Sequence, residues 1–325
     1  MTFLITQFLE KAAEEIKYRG LFYQDDELHE VAYSALDTTL AVLNEFITVD
    51  GNLYSPKQGW EFPLEYAEVT FEEPLEVTVS VEDETGKIPL QLLKEEQLTE
   101  LLRFLEIKEE PEVLAKSLTY WMQPSPTQNE NGLSNDEEDY YARQTPSYSP
   151  PKSGIKTFEE LKLIRNVNTA FFDERGTPNE TLEALMNMVS LYHIEPININ
   201  TTSPKVRDFL EKIERVDLPL LAQQLDDEER PQYHTSGTEL PQTGLIGFQA
   251  KVFKINILAN RGDTRFSLSV IAKVRGGETS KTDNKEEDKS PSSKSKTGSE
   301  KTLPAKNSLD YPFEILRLVE NRKIN

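Results

Sequence analysis

The opening stretch constrains the fold more than any other part of the chain. Residues 3–47 contain no proline and a single glycine, Gly20. Apolar side chains recur at Leu28, Val31, Ala32, Ala35, Leu36, Leu40, Leu43 and Phe46, one stripe at helical spacing. Asp25, Glu27, Glu30 and Asp37 take the opposite face. A helix of this span is about 65 Å long, longer than a small domain is wide. Residues 10–19 (EKAAEEIKYR) are too polar to carry a broad buried stripe, so the first half of the helix is expected to project from the body. Any fold for this chain must be organised around one long helix buried over half its length.

The segments that follow alternate between strand and helix patterns. Leu75, Val77, Val79 and Val81 alternate with Glu76, Thr78, Ser80 and Glu82, which predicts a half-buried antiparallel strand. Asp83-Glu84-Thr85-Gly86 reads as a turn, with a short return from Lys87 to Leu90. Helical patterns run over 96–107 and 113–122, with Pro111 in the first turn of the second. Residues 123–154 read as a loop. Thr157 and Glu160 form a capping box for another helix, and helices are predicted over 182–191, 203–213 and near 218–225. Strands return over 248–258, with Phe248, Ala250 and Val252 on one face, and over 266–272. A turn at Asn260-Arg261-Gly262-Asp263 joins them. Residues 277–308 are Lys, Ser, Thr, Glu and Asp without an aromatic, a composition that cannot offset its ordering entropy and is expected to be disordered. A final strand spans 311–319, with Phe313, Ile315 and Leu318 apolar.

This order makes an α+β protein: a long N-terminal helix packed on an antiparallel sheet, with a large all-helical domain inserted between strands. The boundaries read as 1–93 for the helix and first strands, 94–235 for the insertion, and 236–325 for the closing strands.

Composition narrows the function. The chain carries 57 acids against 36 bases, a net charge of −21, which repels a phosphate backbone and argues against nucleic acid as a partner. No cysteine is present, so disulfides and thiolate chemistry are excluded. His29, His193 and His234 lie in three separate regions, and no nucleophile elbow or phosphate-binding glycine loop occurs, so the chain is not read as an enzyme. One cluster could hold a metal. Asp136, Glu137, Glu138 and Asp139 sit in a loop with Asn129, Asn131 and Asn135, hard oxygen donors of the kind Ca²⁺ takes in sets of six to eight. Glu137, Glu138 and Asp139 are the candidate ligands; the other reading is a solvated acidic loop with Tyr140 and Tyr141 packed inward. Residues 197–202 (ININTT) before a helix resemble the opening of helix-hairpin-helix modules, which hold a phosphate on backbone amides. A nucleic-acid-binding module is therefore the alternative function, although capping by Thr202 or Ser203 accounts for the same residues.

Several segments in fixed order resemble type II secretion protein K (general secretion pathway protein K), a minor pseudopilin family. Glu82-Asp83-Glu84-Thr85-Gly86-Lys87-Ile88-Pro89-Leu90-Gln91 resembles its E-D-x-x-G-[KR]-[IL]-x-[LI]-N turn. Tyr120-Trp121-Met122-Gln123 stands where the family has D-W-x-D, and Asn135-Asp136-Glu137-Glu138-Asp139-Tyr140-Tyr141 where it has G-A-E-D-x-Y-Y. Pro146-Ser147-Tyr148, the run Thr157-Phe158-Glu159-Glu160-Leu161-Lys162-Leu163-Ile164 and residues 197–202 complete the series. The resemblance implies a pilin fold and a heteromeric complex with other minor pseudopilins at the tip of the pseudopilus, with secreted proteins as possible substrates. It implies a periplasmic bulk anchored in the cell inner membrane by an N-terminal helix. MTFLITQFL would be the tail of that apolar segment, most of which this sequence lacks. The family binds calcium in its insertion. Glu137 and Glu138 match its acidic pair, but Tyr120 and Gln123 replace two aspartates, so weaker calcium binding is expected.

Overall fold

The structure is a computed structural model that describes residues 2–123, 134–214, 233–235, 245–275 and 312–324, with the side chains of the first helix described from Asp26 onward. The chain opens with α1 (Thr2–Asp50), 49 residues of unbroken helix. A 3₁₀ turn (Pro56–Gln58) and α2 (Pro63–Tyr66) lead to β1 (Leu75–Asp83). The insertion then holds β2 (Ile88–Pro89), α3 (Glu95–Phe104), α4 (Pro111–Met122), α5 (Ser134–Ala142), a 3₁₀ segment (Phe158–Leu163), α6 (Asn168–Phe171), α7 (Glu180–Met188), β3 (Val189–Ser190), β4 (Ile197–Asn198) and α8 (Pro204–Glu214). The chain closes with β5 (Ile246–Gly247), β6 (Val252–Arg261), β7 (Thr264–Val274) and β8 (Phe313–Ile324).

The main sheet is antiparallel with strand order β1-β6-β7-β8. β1 and β6 are direct neighbours, Asp83 opposite Phe253, although more than 160 residues separate them; the insertion is therefore a detour between two adjacent strands. α1 lies across β6 and β7. Leu28, Ala32, Ala35, Leu36, Leu40 and Leu43 are buried there against Phe253, Ile255, Ile257, Phe266 and Leu268. Thr39 also lies in this seam, and its hydroxyl is satisfied by donating to the Ala35 carbonyl at 2.7 Å. A second core belongs to the insertion, running from Ile88 to Leu210 around Leu98, Leu101, Trp121, Tyr141, Phe171 and Phe209.

Three expectations need correction. Residues 134–142 are helix α5, not loop; acids placed in the first turns of a helix are favoured by its positive end. The return after Asp83 does not fold back on β1: residues 84–86 form a buried 3₁₀ turn, and β2 pairs in parallel with β3 in a separate two-stranded ribbon. The buried face of β6 is the odd-numbered one, Phe253, Ile255, Ile257 and Ala259, because the strand begins only at Val252 and Phe248 packs on the insertion core. The predicted last strand is present as β8; it lies at the sheet edge, and its Ile315, Leu316, Leu318 and Val319 are 41–43% exposed. The hairpin between β6 and β7 closes at the pair Arg261 and Thr264, with Gly262 at φ 57, a left-handed conformation that glycine adopts without a Cβ clash. The predicted disordered segment 277–308 and the predicted helix near 218–225 lie outside the described residues.

Candidate functional site

Two clusters stand out where the chemistry was sought. The first is the acidic start of α5. Its fixed point is Tyr141, which is buried, and burial pushes its phenol up to about 12. The Tyr141 hydroxyl accepts from the Arg165 backbone N–H at 3.2 Å, and its ring packs against Trp121, Tyr140 and Tyr148. This aromatic anchor holds α5 on α4.

The candidate ligands do not converge from that anchor. They occupy successive helical positions, each rotated by about 100° from the last. Glu137 is partly buried and pairs with Arg165 at 3.3 Å. Glu138 is exposed. Asp139 is exposed and pairs with Arg143 at 3.3 Å, one turn further on. The side chain of Asp136 lies outside the described residues. Among the described residues, no group of three or more His, Asp or Glu side chains is placed to hold a metal ion. This donor set does not fit Ca²⁺, which takes six to eight oxygens around one point.

A lysine that the sequence reading passed over sits beside these acids. Lys152 Nζ lies 3.0 Å from the centroid of the Tyr120 ring and donates to the Tyr120 carbonyl at 3.0 Å, in the last turn of α4. Burial lowers the pKa of Lys152, while Glu138 and Glu137 push it back up. The same two acids, after burial, raise the phenol of Tyr120. Tyr120 thus stands where the resemblance led one to expect an aspartate, and a cationic side chain covers it.

The second cluster is the root of the insertion. Asp83, at the end of β1, is buried and accepts from the Thr85 N–H at 2.8 Å, Asn198 Nδ2 at 2.8 Å and Thr201 Oγ1 at 2.7 Å. Burial pushes its carboxyl up to about 6, against the opposing effect of those donors. Asn198 also donates to the Tyr54 carbonyl at 2.8 Å, just beyond the C-terminal end of α1. Thr85 Oγ1 accepts from the backbone N–H groups of both Lys251 and Val252 at 2.9 Å, where the chain returns to the sheet. Asn200 bridges to the carbonyls of His234 and Phe248, each at 2.9 Å. Outside this knot, Glu195 pairs with Lys251 at 3.2 Å and Lys273 at 3.1 Å. Residues 197–202 therefore spend their polar groups on the chain itself, and Ser203 rather than Thr202 caps α8, its Oγ accepting from the Val206 N–H at 3.3 Å. The three histidines stay apart: His29 lies on α1 beside Glu320, His193 is buried near the root, and His234 contacts Asn200 through its backbone.

Residues 80–193, from the end of β1 through most of the insertion, match the sequence profile of type II secretion system (T2SS), protein K. Over that segment the chain is similar to protein K of the type II secretion system. Its fold is similar to that of a chain in the crystal structure of the GspK-GspI-GspJ complex from the enterotoxigenic Escherichia coli type 2 secretion system. The TM-score is 0.54 at 13% identity, over 96% of this chain and 99% of that one. At that identity the likeness is one of fold. No curated protein matches the chain.

Proposed function

We propose that the chain is a non-enzymatic minor pseudopilin. In this reading it joins other minor pseudopilins in a heteromeric complex at the pseudopilus tip, at the inner membrane and with its bulk in the periplasm. There it supports the export of secreted proteins. The observation that carries this reading is the union, in one chain, of a protein K match over 80–193 with a 49-residue helix laid on an antiparallel sheet.

Three features support it. The hairpin at Arg261 pairs with Glu27 of α1, whereas the root of the insertion is tied to Tyr54 beyond the far end of the same helix. The insertion therefore stands at the end of the body opposite the helix N-terminus, where it would obstruct another subunit stacking above. The open edge of β8, with its four exposed aliphatic side chains, offers a surface for a neighbouring subunit. The charge of −21 does not suit a nucleic-acid partner. Among the described residues no helix is long and apolar enough to cross a membrane. The test is genetic: deleting the chain in its own host should leave type II substrates in the periplasm, and restoring it should release them. Unchanged export in the deletion strain would overturn the proposal.

A further inference from the structure

We propose that the acidic start of α5 takes its counter-charge from Lys152 and Arg165 instead of a divalent ion, so that the inserted domain folds independently of calcium. The inference begins with the mismatch of donors. Glu137 already faces a guanidinium, Glu138 and Asp139 point elsewhere along the helix, and Asp139 has its own arginine. A doubly charged ion placed among them would lie close to both Lys152 and Arg165 and would be repelled by each.

The cationic side chains, by contrast, are held. Lys152 has φ 52, a left-handed conformation that non-glycine residues seldom adopt and that carries strain for a lysine. That backbone brings its ammonium onto the Tyr120 ring and the Tyr120 carbonyl. A carbonyl in the last turn of a helix bears partial negative charge, so the contact is favourable on both counts. Arg165 is fixed in the same way: its backbone N–H is bound by Tyr141, and its guanidinium lies 5.0 Å from the Tyr140 ring centroid while reaching Glu137. Aromatic faces thus position two cations, Arg165 directly on Glu137 and Lys152 near enough for Glu138 and Glu137 to act on its charge.

The experiment uses the full chain in thermal melts, with excess calcium chloride against chelator. The unaltered protein should melt at the same midpoint in both. Lys152→Met keeps the aliphatic stem and the backbone strain but removes the charge, and should lower the midpoint by roughly 2–4 °C. Lys152→Arg restores the charge and should return the midpoint to within about 1 °C of the unaltered protein. A midpoint that rises in calcium, or a Lys152→Met variant that melts like its parent, overturns the proposal. Should the Met variant fail to fold, the comparison of calcium with chelator in the unaltered protein decides the matter alone.

Discussion

Thr85 offers a perturbation whose sign separates hydrogen bonding from packing. The residue is fully buried in the 3₁₀ turn after β1, and its Oγ1 is the acceptor for two backbone N–H groups, those of Lys251 and Val252. Thr85→Val keeps the shape and removes the acceptor. The Val252 N–H is then buried without a partner, at a cost of about 1–3 kcal/mol, and the partly exposed Lys251 N–H loses a bond that water can replace in part. Together these predict a loss of about 2–4 kcal/mol. Thr85→Ser does the reverse, keeping the acceptor and losing one buried methyl, worth about 1 kcal/mol. Urea unfolding of the three proteins, followed by circular dichroism, measures both. The hydrogen-bond account requires valine to be the more damaging change. A packing account requires serine to be worse, and a Thr85→Val protein as stable as its parent would refute the reasoning outright.

Three further predictions use the same measurements. Leu36→Asp or Leu40→Asp places a charge in the seam between α1 and the sheet and should cost about 3–5 kcal/mol, whereas Glu30→Ala on the exposed face should stay within about 0.5 kcal/mol of the parent. Gly86→Ala would put a Cβ 2.5 Å from Thr201 Oγ1 and 2.9 Å from the Thr201 carbonyl, so it should destabilise the root by about 1–3 kcal/mol; a neutral result would show that the turn can shift. Burial pushes Asp83 up to about 6 from 3.8, so the folded state binds its proton more tightly than the unfolded chain. The stability this group contributes is full below pH 3.8 and lost as pH rises through about 6, and Asp83→Asn should reduce the fall in melting midpoint between pH 4 and pH 8. An equal fall in the variant would remove Asp83 from the account.

The parts of this fold that were legible in the sequence are those set by local periodicity. The stripe of Leu28 to Leu43 announces the long helix because every third or fourth side chain meets the same sheet. Leu75 to Val81 announce β1 because one face is packed and the other wet. The misreadings share a cause: each depends on a partner distant in sequence. Whether residues 88–89 pair with β1 or with Val189–Ser190 is decided by the folding of a hundred intervening residues. The apolar residues of β8 give no warning that their strand lies at an edge. Nor does any local pattern announce that Arg165 pairs with Glu137 or that Lys152 lies near the acids of α5. Asp83 and Thr85 were visible as a turn, but nothing local reveals that they tie the insertion to Asn198, Thr201 and β6.

The central claim is that this chain works as one subunit of a pilin-like assembly. Its most direct test is the mass of the complex formed when the chain is co-expressed with the other minor pseudopilins of its own secretion system and sedimented in the analytical ultracentrifuge. The account predicts a single heteromeric species containing this chain, lost when Leu318→Glu and Val319→Glu place charge on the open edge of β8 while the fold of the isolated chain is unchanged. Sedimentation of this chain as a separate species, with its partners present and folded, would contradict it.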